Sequence, residues 1–260
     1  MFKSFIITIK ISYNQEFSGG LLPVFKKQLL NYIWFYFMCQ IWLFIGQNSE
    51  MSLTTSQLLT YSLLSTVFRP QMDIITPATS SMWEGSIIGR YTRPMPIFSS
   101  FIAETIGKIW IPTFFTLSFP LIVLASIAGI NPLPDSFYTG IMGMISLLLS
   151  VSLGFAMDFI FAALAMHLKD KCWAALQIRE SLLNLLTGAV IPLNVMPLPV
   201  GNFLRLLPFA SLASVPINIY MGIIKPANAL LMQVVWNVLF WTIASIVYKK
   251  SEEEMISFGG

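Results

Sequence analysis

The sequence predicts an all-α, polytopic membrane protein with six transmembrane helices. Three observations predict it. Hydrophobic residues make up 56% of the chain and charged residues only 10%, with a mean hydropathy of +0.74, whereas a soluble domain carries about 25% charge. Six apolar runs approach or exceed the length a bilayer requires. Lysine and arginine cluster in alternate connections, the bias that orients a multi-span chain. One membrane domain over 1–260 accounts for the whole sequence.

Residues 1–25 mix Lys3, Lys10 and Glu16 with Phe2, Phe5, Ile6, Ile7 and Ile9, then reach Gly19-Gly20. This reads as an amphipathic helix on an anionic membrane surface, closed by a turn. No small-residue cleavage site follows the short apolar run, so no secretory signal is expected. The spans are placed at Leu29–Gly46, Gln57–Pro70, Phe98–Ala128, Tyr138–His167, Trp173–Leu193 and Asn228–Tyr248, the short second one extending to about Ile75. Pro112 and Pro120 are the expected kink points of the long third span. Trp34, Phe35, Tyr36, Phe37 and Trp42 in the first span read as packing and interface residues. Met142, Met144 and Met157 read as packing, and Gly140, Gly143, Ser146 and Ser150 as sites of close helix contact.

Charges orient the spans. Lys3, Lys10, Lys26 and Lys27 precede the first, Arg90 and Arg93 separate the second and third, Lys169 and Lys171 the fourth and fifth, and Lys249 and Lys250 follow the sixth. The positive-inside rule therefore puts both termini, including the tail 249–260, in the cytoplasm. The stretch from Thr187 to Gly222 then lies at the outer side. It is apolar, yet Pro192, Pro197, Pro199, Pro208 and Pro216 break it. No full span fits there, so 194–227 is expected to form short re-entrant outer helices that cap or line a solute path.

Between the second and third spans, 79–97 carries a candidate short helix. Ser80 or Ser81 is placed to cap it, with Glu84 as the capping-box partner of Ser81, Gly89 to end it and Pro94 to prevent its continuation. It would present Met82, Trp83, Ile87 and Ile88 at the membrane surface. Two readings stand: a passive interfacial linker, or a helix docked into a groove on a soluble partner.

Ionisable groups inside spans are costly and often mark pathways. Asp158 lies roughly 16 Å along its helix from Lys169, and Arg179 roughly 12 Å along the antiparallel neighbour from Lys171. The two are expected to pair, with Glu180, adjacent to Arg179, as the alternative partner. Exchanging Asp158 and Arg179 together is expected to preserve expression and transport if they only pair. Glu104 and Lys108 are spaced to pair on one face of the third span.

Some chemistry is absent from the sequence. His167 is the only histidine, and Cys39 and Cys172 are the only cysteines. No metal site, disulfide framework or nucleic-acid partner is expected. There is no H-E-x-x-H, G-x-S-x-G or G-x-x-x-x-G-K-[ST] pattern.

EGSIIGRYTRP (Glu84–Pro94) resembles the cytoplasmic loop motif of ATP-binding-cassette permeases of the type-2 exporter superfamily. LLTGAVIPLNVMP (Leu185–Pro197) and LLPFASLASVPINIYMG (Leu206–Gly222) are similar to that family's outer segment, and Tyr248–Gly260 to its tails. Ala165-Met166 departs from the aromatic pair that relatives often carry. The resemblance implies a non-catalytic permease subunit with six spans, paired with a second, identical or paralogous permease in a bacterial plasma membrane. It implies that cytoplasmic ATPase subunits holding ATP and Mg dock on Met82, Trp83, Glu84, Gly85, Ile87, Ile88 and Arg90. Ile191, Pro192, Leu193, Pro197, Leu207, Pro208, Phe209 and Pro216 would form an outer gate. Cargo would be lipid-like molecules, drugs or antimicrobial peptides. The alternative is an ion- or proton-coupled carrier using Asp158, Glu104 and Arg179.

Overall fold

The structure, a computed structural model, describes residues 2–48, 52–84, 86–91, 94–167 and 172–257. Helices dominate, and no strand occurs among the described residues. In chain order they are α1 (Phe2–Glu16), α2 (Leu21–Asn48), α3 (Thr55–Met72), α4 (Ala78–Trp83), α5 (Ile88–Tyr91), α6 (Ile97–Ile127), α7 (Phe137–His167), α8 (Cys172–Leu186), α9 (Leu198–Leu206), α10 (Ser214–Tyr220) and α11 (Pro226–Ser257). Short 3-10 turns follow α1 at Phe17–Gly19 and α9 at Pro208–Ser211.

Four of these helices, α2, α6, α7 and α11, are long and apolar enough to cross a membrane. The second and fifth expected spans fall short of that. α3 has 18 residues, and its Thr, Ser and Gln side chains lower its hydropathy. α8 has 15 residues, or about 22 Å. It stops at Leu186, seven positions before the expected Leu193, because Gly188 turns the chain with φ 76°. Conversely α2 begins at Leu21 rather than Leu29, so the last residues of the expected N-terminal surface helix belong to it instead. Its basic residues stand at its exposed start, where long stems reach the surface.

α7 is the hub, in contact with α3, α4, α8, α10 and α11. Gly143 lets α10 approach it: a Cβ there would lie 2.8 Å from Tyr220 Cβ and 3.0 Å from Tyr220 Cα. On its other side a buried polar seam joins α11. Ser146 Oγ donates to Gln233 Oε1 at 2.7 Å, Gln233 Nε2 donates to the Ser211 carbonyl at 2.8 Å, and Asn237 Nδ2 donates to the Leu149 carbonyl at 3.0 Å. Each satisfies a polar group that would otherwise be costly to bury.

α1 is docked rather than loose. It lies on α6 at Gly107, where a Cβ would come 2.4 Å from the Ile9 carbonyl oxygen and 2.8 Å from Ser12 Cβ. Lys27 pairs with Glu16 across the turn into α2. α6 passes through two π-helical turns, Ile106–Trp110 and Phe114–Ser118. They lie just before Pro112 and Pro120, which remove backbone donors. Pro120 cannot serve the Thr116 carbonyl, and Tyr32 Oη donates to it at 2.6 Å instead.

Candidate functional site

The chain leaves α3 at Met72 and enters α4 at Ala78. The irregular link is held by charged groups from α7 and α8. Asp158 and Arg179 are fully buried, with Arg179 Nε 3.9 Å from Asp158 Oδ1. Arg179 Nη2 also reaches Asp73 Oδ1 at 3.2 Å and donates to the Ile74 carbonyl. Asp158 Oδ2 accepts from the Thr76 backbone N–H at 3.1 Å and from the Thr76 hydroxyl. The two side chains expected to pair are thus brought together, and both also grip backbone in this link. Glu180 is exposed on α8.

Thr76 continues the chain of contacts into α4, accepting from the Ala78 N–H at 3.1 Å. The helix therefore starts at Ala78, inside the reach of Thr76, and not at the expected Ser80 or Ser81 cap. The Ser81–Glu84 capping box does not form: Ser81 is buried in the last turns of α4 and Glu84 follows that helix, exposed. A second short helix, α5, follows it, and Gly89 lies inside α5 rather than ending the first helix. Ile87 also departs from expectation. It is fully buried with Ile74, Ala78, Phe101 and Phe159 instead of facing the membrane surface. Gly85, Arg93, Lys169, Lys171 and Gly259-Gly260 lie outside the described residues, as do the side chains of Met82, Trp83, Ile88, Ala165, Met166 and Cys172.

Arg90 fastens α5 to the base of α6. Its Nη1 and Nη2 bond Glu104 Oε1 and Oε2 at 2.8 and 3.0 Å, a bidentate pair. Nη1 also donates to Ser100 Oγ at 3.0 Å, and the guanidinium carbon stands 4.4 Å from the centre of the Phe101 ring. Glu104 thus has a partner beyond its own helix, whereas only Lys108 was expected; Lys108 is exposed on the first π turn.

At the opposite end, the stretch after α8 folds back beside α3. Tyr61 Oη donates to the Gly188 carbonyl at 2.8 Å, Ser65 Oγ donates to the Ala189 carbonyl, and the Ser214 N–H donates to the Thr187 carbonyl at 3.1 Å. Ser65 lies roughly 15 Å along α3 from its start, so irregular backbone reaches mid-bundle and finds partners there, as such backbone must. Pro192, Leu193, Pro208 and Pro216 are buried, Leu207 and Phe209 partly so, and Pro197 and Ile191 exposed. Gly201 lets α9 cross close to this stretch, since a Cβ there would meet the Leu193 carbonyl oxygen at 2.6 Å. Asn194 Nδ2 donates to Asn218 Oδ1 at 2.9 Å, and Arg205 donates to Asn194. The segment forms a packed cap with Ile191 as its free lip.

Sequence reasoning missed Asp73 and Arg69. Both sit at the end of α3, around Pro70, where the apolar run gives out and charge looks like ordinary loop. Arg69 Nη2 donates to Asn184 Oδ1 at 3.1 Å.

α7 and α8 thus bring Asp158 and Arg179 to the α3–α4 link, and a proline-broken segment packs beside α3 nearer its start. A family model described as ABC-2 family transporter protein matches residues 27–259. The chain belongs to this family. No curated protein matches it in sequence. As an ABC-2 permease it is a multi-pass membrane protein and a membrane component of transport. Membership implies partnership with ABC ATPase subunits. Within the ABC-2 match fall both sites described above: the link from Asp73 to Glu104 and the cap from Thr187 to Tyr220.

Proposed function

We propose that this chain is the permease subunit of an ATP-driven exporter, moving a hydrophobic or amphipathic cargo such as a lipid-like molecule, a drug or an antimicrobial peptide. The observation that carries the reading is the construction of the α3–α6 connection. α4 packs on the hub α7, the Asp158–Arg179 cluster holds its entry, and Arg90 clamps its exit to Glu104. A force applied to α4 and α5 would therefore reach α6, α7 and α8 together. ATP and Mg would sit on a separate cytoplasmic ATPase docked on Trp83, Glu84 and their neighbours.

In this reading α3 and α8 complete six spans, with the cap filling the outer depth that α8 leaves open. Both termini face the cytoplasm of a bacterial plasma membrane, and a second permease, identical or paralogous, faces this one. Residues 79–97 are the coupling loop, 194–227 the outer gate and 249–260 the cytoplasmic tail. An ion-coupled carrier gains no support from the charges. Asp158 and Glu104 each already hold a guanidinium, in separate clusters.

The test is purification of the tagged protein from its host in mild detergent. A co-purifying nucleotide-binding subunit, lost when Trp83 and Glu84 are replaced by alanine, is the expected result. Transport by the chain alone in liposomes, driven by an ion gradient, would overturn the proposal.

A further inference from the structure

Beneath the Ile191 lip lies a cleft of about 490 Å³. Trp34 of α2, Arg69 of α3, Ser181, Asn184 and Leu185 of α8, and Ile191 of the cap line it. Its chemistry is uneven. Trp34, Leu185 and Ile191 are exposed apolar surface, and Arg69 supplies a cation in the last turn of α3.

Arg90 and Arg179 each hold a carboxylate, whereas Arg69 and the exposed Arg205 hold none among the described residues, and of these two only Arg69 lines the cleft. The nearest acid along α3, Asp73, is engaged by Arg179. Arg69 spends one N–H on Asn184 and has four further N–H donors. A guanidinium at bundle depth without an acid partner is costly unless an anion or water reaches it. Its planar fork matches phosphate and carboxylate oxygens. Glu180, one turn before Asn184 on α8 and exposed, disfavours an anion bound nearer the loop end. The favoured position is therefore at the Arg69 level, directly under the cap.

We propose that this cleft binds an amphiphile by its anionic headgroup, phosphate or carboxylate, with Arg69 as the headgroup clamp and Asn184 orienting it. The apolar tail lies along Trp34 and Leu185. This deepens the permease reading by naming the cargo class, and it rests on that reading only in treating the bound molecule as cargo. Binding itself requires no ATPase, so its failure and the failure of the exporter reading are separable.

The experiment uses the full chain in nanodiscs of phosphatidylcholine, titrated with dodecyl phosphate and, separately, with neutral dodecyl maltoside. Wild type should bind the phosphate saturably and at least about tenfold more tightly than the maltoside. Arg69→Gln should abolish that preference, and Arg69→Lys should keep part of it. Ser181→Trp fills the cleft while leaving Arg69 in place, and should weaken phosphate binding as well. It guards against Arg69→Gln simply failing to fold. Adding phosphatidylglycerol to the disc distinguishes the source: competition with the probe identifies a bilayer lipid, and undiminished binding a free amphiphile, both within the proposal. Equal affinity of wild type for the two probes would overturn it. So would an undiminished preference in a folded Arg69→Gln protein, or undiminished phosphate binding in a folded Ser181→Trp protein.

Discussion

At one end of the bundle, the irregular link between α3 and α4 is gripped by Arg179 and Asp158. At the other, an equally irregular stretch after α8 is held at depth by the hydroxyls of Tyr61 and Ser65 and by backbone and side-chain amides, with the one cation, Arg205, exposed at its rim on Asn194. The two solve one problem, non-helical backbone at depth, with different bonds. Bonds to charged groups are roughly twice as strong as neutral ones, but an ion left without its partner at depth is heavily penalised. A charged cluster is therefore all-or-none, while neutral bonds break one at a time. On the exporter reading that is the division of labour expected: the link must transmit force without yielding, and the cap must open.

The largest effect should come from breaking the charged cluster. Arg179→Met leaves Asp158 buried and Asp73 unpaired, and should cost about 3–5 kcal/mol. The readout is thermal unfolding in detergent and the yield of monodisperse protein. Exchanging Asp158 and Arg179 should not rescue it, because the two do more than pair. Asp158 also accepts from the Thr76 N–H and hydroxyl, which an arginine cannot do. Recovery of the wild-type unfolding temperature by the exchange would reduce the cluster to a simple pair.

Next in size is Arg90→Gln, which removes a bidentate charged contact with Glu104 and should cost about 1.5–3 kcal/mol. Its signature differs from that of Arg179→Met. The helical bundle should stay intact by circular dichroism, and ATP-dependent transport should fall while ATPase binding survives. Loss of the ATPase instead would make Arg90 a contact residue rather than a clamp. At the cap end, Gly143→Val forces side chain against Tyr220 backbone and should cost about 1–3 kcal/mol. Gly89→Ala, inside α5 with nothing within 4 Å of the added carbon, should instead stabilise by about 0.5–1 kcal/mol and raise the unfolding temperature slightly.

Much of this difference between the ends was legible in the sequence. The Asp158–Arg179 meeting follows from counting residues inward from the flanking lysines on antiparallel helices, because helical rise is fixed. The cap followed from its prolines. The end of α8 did not, because Thr187–Leu193 is as apolar as a span, and hydropathy does not separate helix from buried irregular backbone. The tyrosine and serine that satisfy that backbone come from α3, more than a hundred residues earlier, and no local pattern links them. The loop helix also divided where one was expected. Thr76 sets the start of α4 through a contact with Asp158, a partner far away in sequence. Arg69 and Asp73 stayed hidden because a short span running past Pro70 gives no sign of which charges near its end meet partners on α8, far away in sequence.

The smallest predicted loss of stability tests the cap most directly. Tyr61→Phe keeps the ring, which is fully buried and packed with Leu64, Ala213 and Ile217, and removes only the donor to the Gly188 carbonyl. One neutral hydrogen bond is worth about 1 kcal/mol, so global unfolding should shift little. The local effect should be larger than that shift implies. The Gly188 carbonyl is left facing the bundle interior, while Ser65 and Ser214 still hold the carbonyls on either side. Hydrogen exchange should therefore quicken in the backbone around 187–196, with α10 and the Asp73–Ala78 link unaffected. If exchange rises equally at both ends, the cap and the link belong to one cooperative unit, and a cap that opens while the link stays rigid is ruled out.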